Sequence, residues 1–317
     1  MQEKKFDVLV VGELNIDLIL DGLQKFPETG KEILADEMLY TLGSSSAIFA
    51  SNLSALGVSV NYCGCIGNDD FGEKIISDLN GKNINTDNLI KTNKTKTGIT
   101  VAFNFNQDRA MITYPGAMNE LSEKDITDVV LNNAKHLHVS SAFLQPALMS
   151  GLSKLFERAK KFGLTTSLDP QWDPAEKWDC DWQSLLPNVD VFLPNIEELK
   201  NITNQSNIRN AVASIKDFAN IIVVKNSVEG AMAFYKDDVV EQPAFINKDF
   251  ADAIGAGDSF DAGFISRFIL NKPLKECAET GAICGAINTT AYGGTTAFTN
   301  FSEIKKIATE KFNYSLQ

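Results

Sequence analysis

The segment Asp252-Ala-Ile-Gly-Ala-Gly-Asp258 holds the residue types best suited to chemistry. After it, Phe260, Phe264 and Phe268 recur every fourth residue with Ile265 and Ile269 beside them, which predicts a helix. Gly255, Ala256 and Gly257 then sit at the helix entrance, where free N–H groups and the dipole favour an anion. Two glycines let the main chain approach a phosphate closely. A carboxylate next to such a nest repels phosphate and serves poorly as a plain binding group. It serves well as a base that takes the proton of a hydroxyl attacking that phosphate. The competing reading is a Gly-Ala-Gly turn with Asp258 as a helix cap. The segment is not a P-loop, since no Gly-Lys-Ser/Thr follows. It also lacks the glycine spacing of a dinucleotide fingerprint.

Other candidates are sparser. Asn15 and Asp17, two apart on an extended segment, point the same way and offer donors and acceptors to hydroxyl groups. Read alone, they are equally two polar residues on an exposed strand face. Glu197 and Glu198 follow Asn195, where acids also simply favour a helix start. Only two histidines exist, His136 and His138 on or beside a strand, so a Ser-His-Asp or metal-histidine mechanism has little to work with. Cys63 and Cys65 read as core residues on one face of a single strand, Cys63–Ile66. Five cysteines in all form neither a disulfide framework nor a zinc pattern.

The elements that must position these residues alternate in type. Strands are expected at Val8–Val11, Leu137–Ser140, Thr165–Leu168, Val191–Leu193, Ile221–Val224 and Ala231–Tyr235. Helices are expected at 44–56, 71–79, 149–162, 197–202 and 208–218. Strands separated by helices predict a mostly parallel sheet covered on both faces. Two regions break the rhythm. Ile99, Val101, Phe103 and Phe105 alternate with Thr100, Ala102 and Asn104, the pattern of a half-exposed strand. A turn at Asn106–Arg109 leads into Ala110–Tyr114, and Asp17–Leu20 and Ile33–Leu42 complete a small separate sheet whose apolar face must cover something.

Composition bounds the rest. The 317 residues carry 29 Lys plus Arg against 41 Asp plus Glu, a net charge of −12. No global positive field exists for nucleic acid or anionic membranes, though a local site can still bind an anion. No stretch reaches the ~18–20 apolar residues of a membrane span, and the run after Lys4-Lys5 is too short for a signal-peptide core. A reducing, cytoplasmic compartment is the expectation.

Asp252 to Asp258 resembles the C-terminal signature of the ribokinase-like (PfkB) carbohydrate kinases, and the resemblance runs along nearly the whole chain. Gly12-Glu-Leu-Asn15-Ile-Asp17 is similar to that family's first strand and substrate loop, and 43–57 to its Gly-rich N-terminal signature. Ile66-Gly-Asn-Asp-Asp-Phe-Gly72 and Pro194-Asn195-Ile-Glu197-Glu198 are similar to its glycine–aspartate and Asn-x-x-Glu segments. The resemblance implies a three-layer αβα fold with a mostly parallel central sheet and a small β-sheet lid. The core would be 1–12, 44–96 and 118–317, and the lid 13–43 and 97–117. It implies Asp258 as the base and the amides of Gly255, Ala256 and Gly257 as the anion hole. Asn15, Asp17, Gly43 and Gln145 would contact the sugar, and Asn195, Lys225, Ser227 and Gly257 the nucleotide. Asn195 and Glu198 would order Mg²⁺ through water, and Asp252 would help hold a monovalent cation such as K⁺. The cofactors implied are ATP and Mg²⁺, the partners a small sugar and ATP, with a homodimer contact through the lid.

The chain departs from the pattern at three places. The usual Gly-Gly is Gly43-Ser44, the usual asparagine is Ile48, and Ala253 replaces a frequent threonine. Asp169-Pro-Gln171-Trp172 resembles a fructokinase-like Asp-Pro-Asn stretch with glutamine for asparagine. The reading is an ATP-dependent sugar kinase acting on a hydroxyl, with a hydroxymethyl group as the expected acceptor. The alternatives are a nucleoside kinase, with Phe103, Phe105 and Tyr114 covering the base, or a silent sugar or nucleotide sensor. Ala278, Gly281, Ala282 and Gly285, three or four apart, predict a smooth helix face for nucleotide or for close helix packing.

Overall fold

The computed structural model describes residues 4–105 and 108–316. The strands are β1 (Phe6–Val11), β2 (Asn15–Asp21), β3 (Glu37–Leu42), β4 (Val60–Cys63), β5 (Cys65–Gly67), β6 (Ile90–Thr92), β7 (Gly98–Phe105), β8 (Asp108–Tyr114), β9 (Ala134–Ser140), β10 (Thr165–Asp169), β11 (Val191–Phe192), β12 (Ile221–Lys225), β13 (Ala231–Tyr235) and β14 (Asp238–Gln242). The helices are α1 (Ser45–Ala55), α2 (Asp70–Gly81), α3 (Asp128–Asn132), α4 (Pro146–Met149), α5 (Leu152–Lys161), α6 (Trp182–Leu185), α7 (Ile196–Thr203), α8 (Ile208–Ile215), α9 (Ala256–Phe268), α10 (Leu274–Asn288) and α11 (Phe301–Phe312). The main sheet runs β14-β13-β12-β11-β10-β9-β1-β4, with every pair parallel except β12-β13 and β13-β14, so that β13 alone runs against the rest.

Both faces of that sheet are apolar, as its uninterrupted strand sequences require. In β1, Val8 and Val10 enter one core with Phe49 of α1 and Phe264 of α9, while Leu9 and Val11 enter the other with Phe156 of α5 and Leu199 of α7. The result is a helix–sheet–helix sandwich. Gly281 of α10 abuts Phe260, where an added Cβ would lie 3.0 Å from the ring, so the small-residue face of α10 does bring two helices close.

The expected strand Cys63–Ile66 is in fact two strands. β4 belongs to the main sheet, but β5 pairs with β6 elsewhere, and the chain changes sheets at Gly64. A Cβ on Gly64 would lie 2.9 Å from the Gly12 carbonyl oxygen, so the crossing needs a residue without a side chain. Both thiols are buried, and burial pushes Cys63 up to about 12 and Cys65 to about 11, which leaves them unreactive. The helix expected at 149–162 is likewise two, α4 and α5, divided at Gly151. Of the long strand expected at Ile33–Leu42 only β3 forms; Leu34 before it is exposed.

The second sheet has the order β3-β2-β7-β8. Registers place Thr41, Asp17, Thr100 and Thr113 in one cross-strand row, and Tyr40, Leu18, Val101 and Ile112 in the next, on the opposite face. The polar face is the one carrying Asp17. Phe26 packs edge-on against Phe103 and Phe105 of the apolar face, at 6.2 and 5.9 Å. Asn106 and Gln107 of the expected turn lie outside the described residues.

The two histidines form part of a buried polar chain. Thr165 Oγ1, His136, Ser167 Oγ, His138 and Ser140 Oγ are linked by contacts of 2.7–2.8 Å, and His138 stacks on Phe49. They are structural, and burial pushes His136 down to about 3. An unfolded histidine binds a proton below about pH 6.5, whereas His136 in the fold stays neutral until far lower. Stability is therefore full above pH 6.5 and is lost as pH falls towards 3. We expect urea unfolding to give a pH-dependent loss in the wild type that exceeds that of His136→Asn by about 1.4 kcal/mol at pH 5.5. Equal losses would mean that His136 is charged in the fold.

Candidate active site

Helix α9 begins where the periodicity places it. Gly255, with φ +76°, is its N-cap, and a Cβ there would lie 2.7 Å from Gly294 Cα. Two loops thus meet backbone to backbone, and Asp252 ties the same two together. Its Oδ1 accepts from Ile254 N and its Oδ2 from Gly293 N, both at 3.0 Å. Of the nest amides, Ala256 N donates to Ala253 O at 3.2 Å. Those of Gly255 and Gly257 have no protein acceptor among the described residues.

The segment 252–257 is a partition. Ala253, Ala256 and Gly257 line a cavity of about 270 Å³ together with Lys225, Ser227, Phe245, Phe260 and Gly285. Asp252 and Ile254 line a second of about 660 Å³, closed on its other side by Ile19, Asp21, Leu39 and Asn104 of the small sheet. Asp258 follows Gly257 directly and is 6% exposed.

Asp258 sits among like charges. Burial, with Asp169 and Glu13 adding to it, holds its carboxyl well above the usual range; Lys225 and the Ser45 hydroxyl oppose that rise. Lys225 is already shared: Nζ donates to Asp169 Oδ2 and to Asp261 Oδ2, each at 2.9 Å. Burial alone would lower the Lys225 ammonium, but Asp169 and Asp261 outweigh it and hold it above its ordinary value. Asp261, one helical turn past Asp258, is itself raised by burial. Between Asp258 and Asp169 stands Gln171, whose Nε2 donates to Asp258 Oδ1 at 3.0 Å and to Asp169 Oδ2 at 2.7 Å.

Asn195 caps α7 in a reciprocal box. Its Oδ1 accepts from Glu198 N at 2.9 Å, while its own N and Nδ2 donate to the Glu198 carboxylate at 2.8 and 2.6 Å. Glu198 is buried, and burial reinforced by Asp169 lifts it to about 7. Asn195 also bridges β-fashion to Lys225, which brings the α7 entrance next to the ammonium.

On the small sheet, Asn15 Nδ2 donates to Asp17 Oδ1 and to Thr100 Oγ1, both at 2.9 Å. A Cβ on Gly43 would fall 2.1 Å from Asp17 Oδ1, so these three sequence candidates do meet. Gln145 is fully buried. Its Nε2 donates to the carbonyls of Ser140 and Ser141 at 3.1 and 3.2 Å, and its Oε1 has no partner.

Sequence reasoning left Glu13, Ser45, Asp169, Gln171 and Asp261 without a role. Asp261 had a signal, since i and i+3 share a helix face. The Ser44-Ser45-Ser46 run also resolves here. Ser44 Oγ donates to Glu13 O at 2.6 Å, Ser45 faces Asp258, and Ser46 Oγ donates to the buried Glu13 carboxylate.

Comparison with known proteins follows this geometry. The model of the pfkB family carbohydrate kinases matches residues 5–300. The chain is 26% identical over 307 residues to deoxyribokinase of Salmonella typhi, covering 95% of this chain and 98% of that one. Its fold is similar to that of Arabidopsis thaliana ribokinase complexed with ribose and ATP, with a TM-score of 0.84 at 22% identity over 95% and 98% of the two chains. An Escherichia coli structure holding ATP and Mg²⁺ superposes with a TM-score of 0.82 at 21% identity, over 95% and 98%.

Removing Lys225 strands two buried carboxylates. We expect Lys225→Met to lower unfolding stability by about 3–5 kcal/mol at pH 8. The loss should be smaller at pH 5 than at pH 8, because burial favours the protonated form of Asp261. Urea denaturation at the two pH values reads both effects.

Proposed function

We propose, of a chain that belongs to the pfkB family of carbohydrate kinases and is on that ground a phosphotransferase with an alcohol acceptor, that it moves the γ-phosphoryl group of Mg-ATP to a hydroxymethyl group of a small uncharged sugar, with Asp258 as base. The observation that carries this reading is the partition: the segment 252–257 lines two cavities with alternate residues, and Asp258, buried and lining neither of them, follows it directly.

The residues present fit Mg-ATP. The smaller cavity offers apolar cover from Phe245 and Phe260 and ends at Gly257, whose amide has no protein acceptor. Lys225 and Ser227 line the same cavity, and Asn195 and Glu198 would hold Mg²⁺ through water. Bound there, Mg²⁺ would neutralise phosphate charge. Asn15, Asp17, Gly43 and Gln145 are the proposed acceptor contacts. Asp258 takes the acceptor's proton, and the amides of Gly255, Ala256 and Gly257 receive the phosphoryl oxygens. Asp252, with both oxygens on backbone amides, holds the wall and is the proposed contributor to a monovalent-cation site. The segments 13–43 and 97–117 form a lid whose closure excludes water, the competing acceptor.

Asn15, Asp17, Gly43 and Gln145 do not line the larger cavity; an acceptor reaching them past it would meet the negative charge of Asp21, Asp36, Glu37 and Asp252, which favours an uncharged one. A sugar phosphate would meet repulsion from each. A nucleobase finds less support, because Phe103, Phe105 and Tyr114 lie on the sheet face opposite Asp17. That same face, with Met38 and Ile112 each 65% exposed, is the proposed contact with a second copy of the chain.

Two tests bear on this reading. A coupled-assay panel with Mg-ATP is expected to turn over neutral pentoses or hexoses in preference to sugar phosphates and nucleosides. Asp258→Asn should retain ATP affinity by calorimetry and lose about 10²–10⁴-fold in turnover; wild-type turnover in that variant removes Asp258 as base. For the second copy, light scattering should find a dimer that Ile112→Glu converts to a monomer, and a monomeric wild type would end that proposal.

A further inference from the structure

We infer that Gln171 is the positioning residue of the base: its single amide nitrogen tethers Asp258 Oδ1 to Asp169 Oδ2 and so sets the direction of the Asp258 carboxylate. This rests on Asp258 being the base.

The geometry argues for it at several points. An amide nitrogen has two hydrogens and no lone pair to offer, and both neighbours are carboxylates, so the nitrogen must face them. The contacts of 3.0 and 2.7 Å use both hydrogens. Without Gln171, the Ser45 hydroxyl would be the remaining neutral donor holding a carboxylate whose last torsion is broad and two-fold. A neutral donor suits this position. A cation here would pair with the base and weaken it, whereas an amide fixes direction while leaving most of the proton affinity in place.

The backbone is shaped to deliver the amide. Gln171 has φ +57°, a left-handed conformation that residues other than glycine and asparagine seldom adopt. Strain of this kind persists where the surroundings over-determine it, and it gathers at functional sites. Here Pro170 precedes, Asp169 Oδ1 accepts from Gln171 N at 3.3 Å, and Trp172 packs edge-on against Trp178 at 5.1 Å. Asp169 is in turn fixed by Lys225. The tether therefore starts from an anchored carboxylate at the end of β10 and reaches a movable one on α9.

The groups facing Asp258 are Asp169 at the end of β10, Lys225 at the end of β12, Glu13 before β2, Ser45 at the start of α1, and Asp261 on its own helix. Gln171 and Ser45 are the neutral donors in this set. Loss of a donor to the ionised carboxylate raises its proton affinity further.

The test compares the full-length wild type with Gln171→Gly and Gln171→Asn. Glycine takes φ +57° more readily than glutamine and asparagine tolerates it, so both variants keep the fold. Turnover is followed with Mg-ATP and whichever sugar the wild type phosphorylates. The Asp258 titration is followed by carbon NMR of aspartate-labelled protein, with its signal assigned by its loss in Asp258→Asn. Gln171→Gly is expected to lose about 100-fold in kcat, to keep KM for ATP within about twofold, and to titrate Asp258 at higher pH. Gln171→Asn, one methylene shorter, should fall between the two. An Asp258 titration unchanged in Gln171→Gly overturns the inference, whether or not kcat falls, because a merely structural glutamine would leave it unmoved. Failure of the base assignment shows separately, as wild-type turnover in Asp258→Asn.

Discussion

Lys225 lies among buried carboxylates and is committed to two of them. Asp169 and Asp261 take its hydrogen bonds at 2.9 Å each, and Asp258, on the same helix as Asp261, receives only neutral donors. This division decides what each acid is able to do. Lys225 opposes the burial-driven rise of both Asp261 and Asp258, but of these two it is hydrogen-bonded only to Asp261. The fold exists to hold this arrangement. β10 and β12 are parallel, with β11 between them, and deliver Asp169 and Lys225 at their C-terminal ends. Ligands gather at that end of open parallel sheets. Helix α9 then presents Asp261 to that cation and, three residues earlier, Asp258 to Gln171.

The second constraint is proximity of main chain to main chain. Gly255 against Gly294 is a position where a Cβ would have to displace backbone. Their closeness makes the partition between the two cavities only one segment thick. Residues 252 and 254 face one cavity while 253, 256 and 257 face the other. A thin wall with unpartnered amides at its end is a geometric condition for passing a group from one side to the other, because reacting atoms must come within about 3–3.5 Å.

What was legible in the sequence was local. The helix entrance at Gly255, the four-residue spacing of its phenylalanines, the central parallel strands and the cluster of Asn15, Asp17 and Gly43 all follow from spacing or from resemblance. What was not legible spans long separations. Lys225 meets Asp169 across 56 residues, and Gln171 meets Asp258 across 87, and no periodicity announces either contact. The break at Gly64 was hidden because both halves are apolar, and a run that changes sheets reads like one that continues. The aromatic residues of β7 were placed correctly on one face, but only the cross-strand register assigned that face away from Asp17.

A carboxylate next to the proposed phosphate site would be an electrostatic contradiction, which dipoles in place of cations would resolve. The starts of α1 and α9 converge on Asp258, since Ser45 opens one helix and Asp258 lies in the first turn of the other. A helix start carries roughly half a positive charge, fixed in direction and free of titration. An ammonium at the same place would pair with Asp258 and abolish it as a base. Main-chain donors attract an anion without taking the carboxylate as their own partner, because the helix geometry aims them outward from its first turn. On the proposed reading, a base and an anion would occupy adjacent positions because Lys225 is engaged by Asp169 and Asp261 and backbone amides would meet the anion.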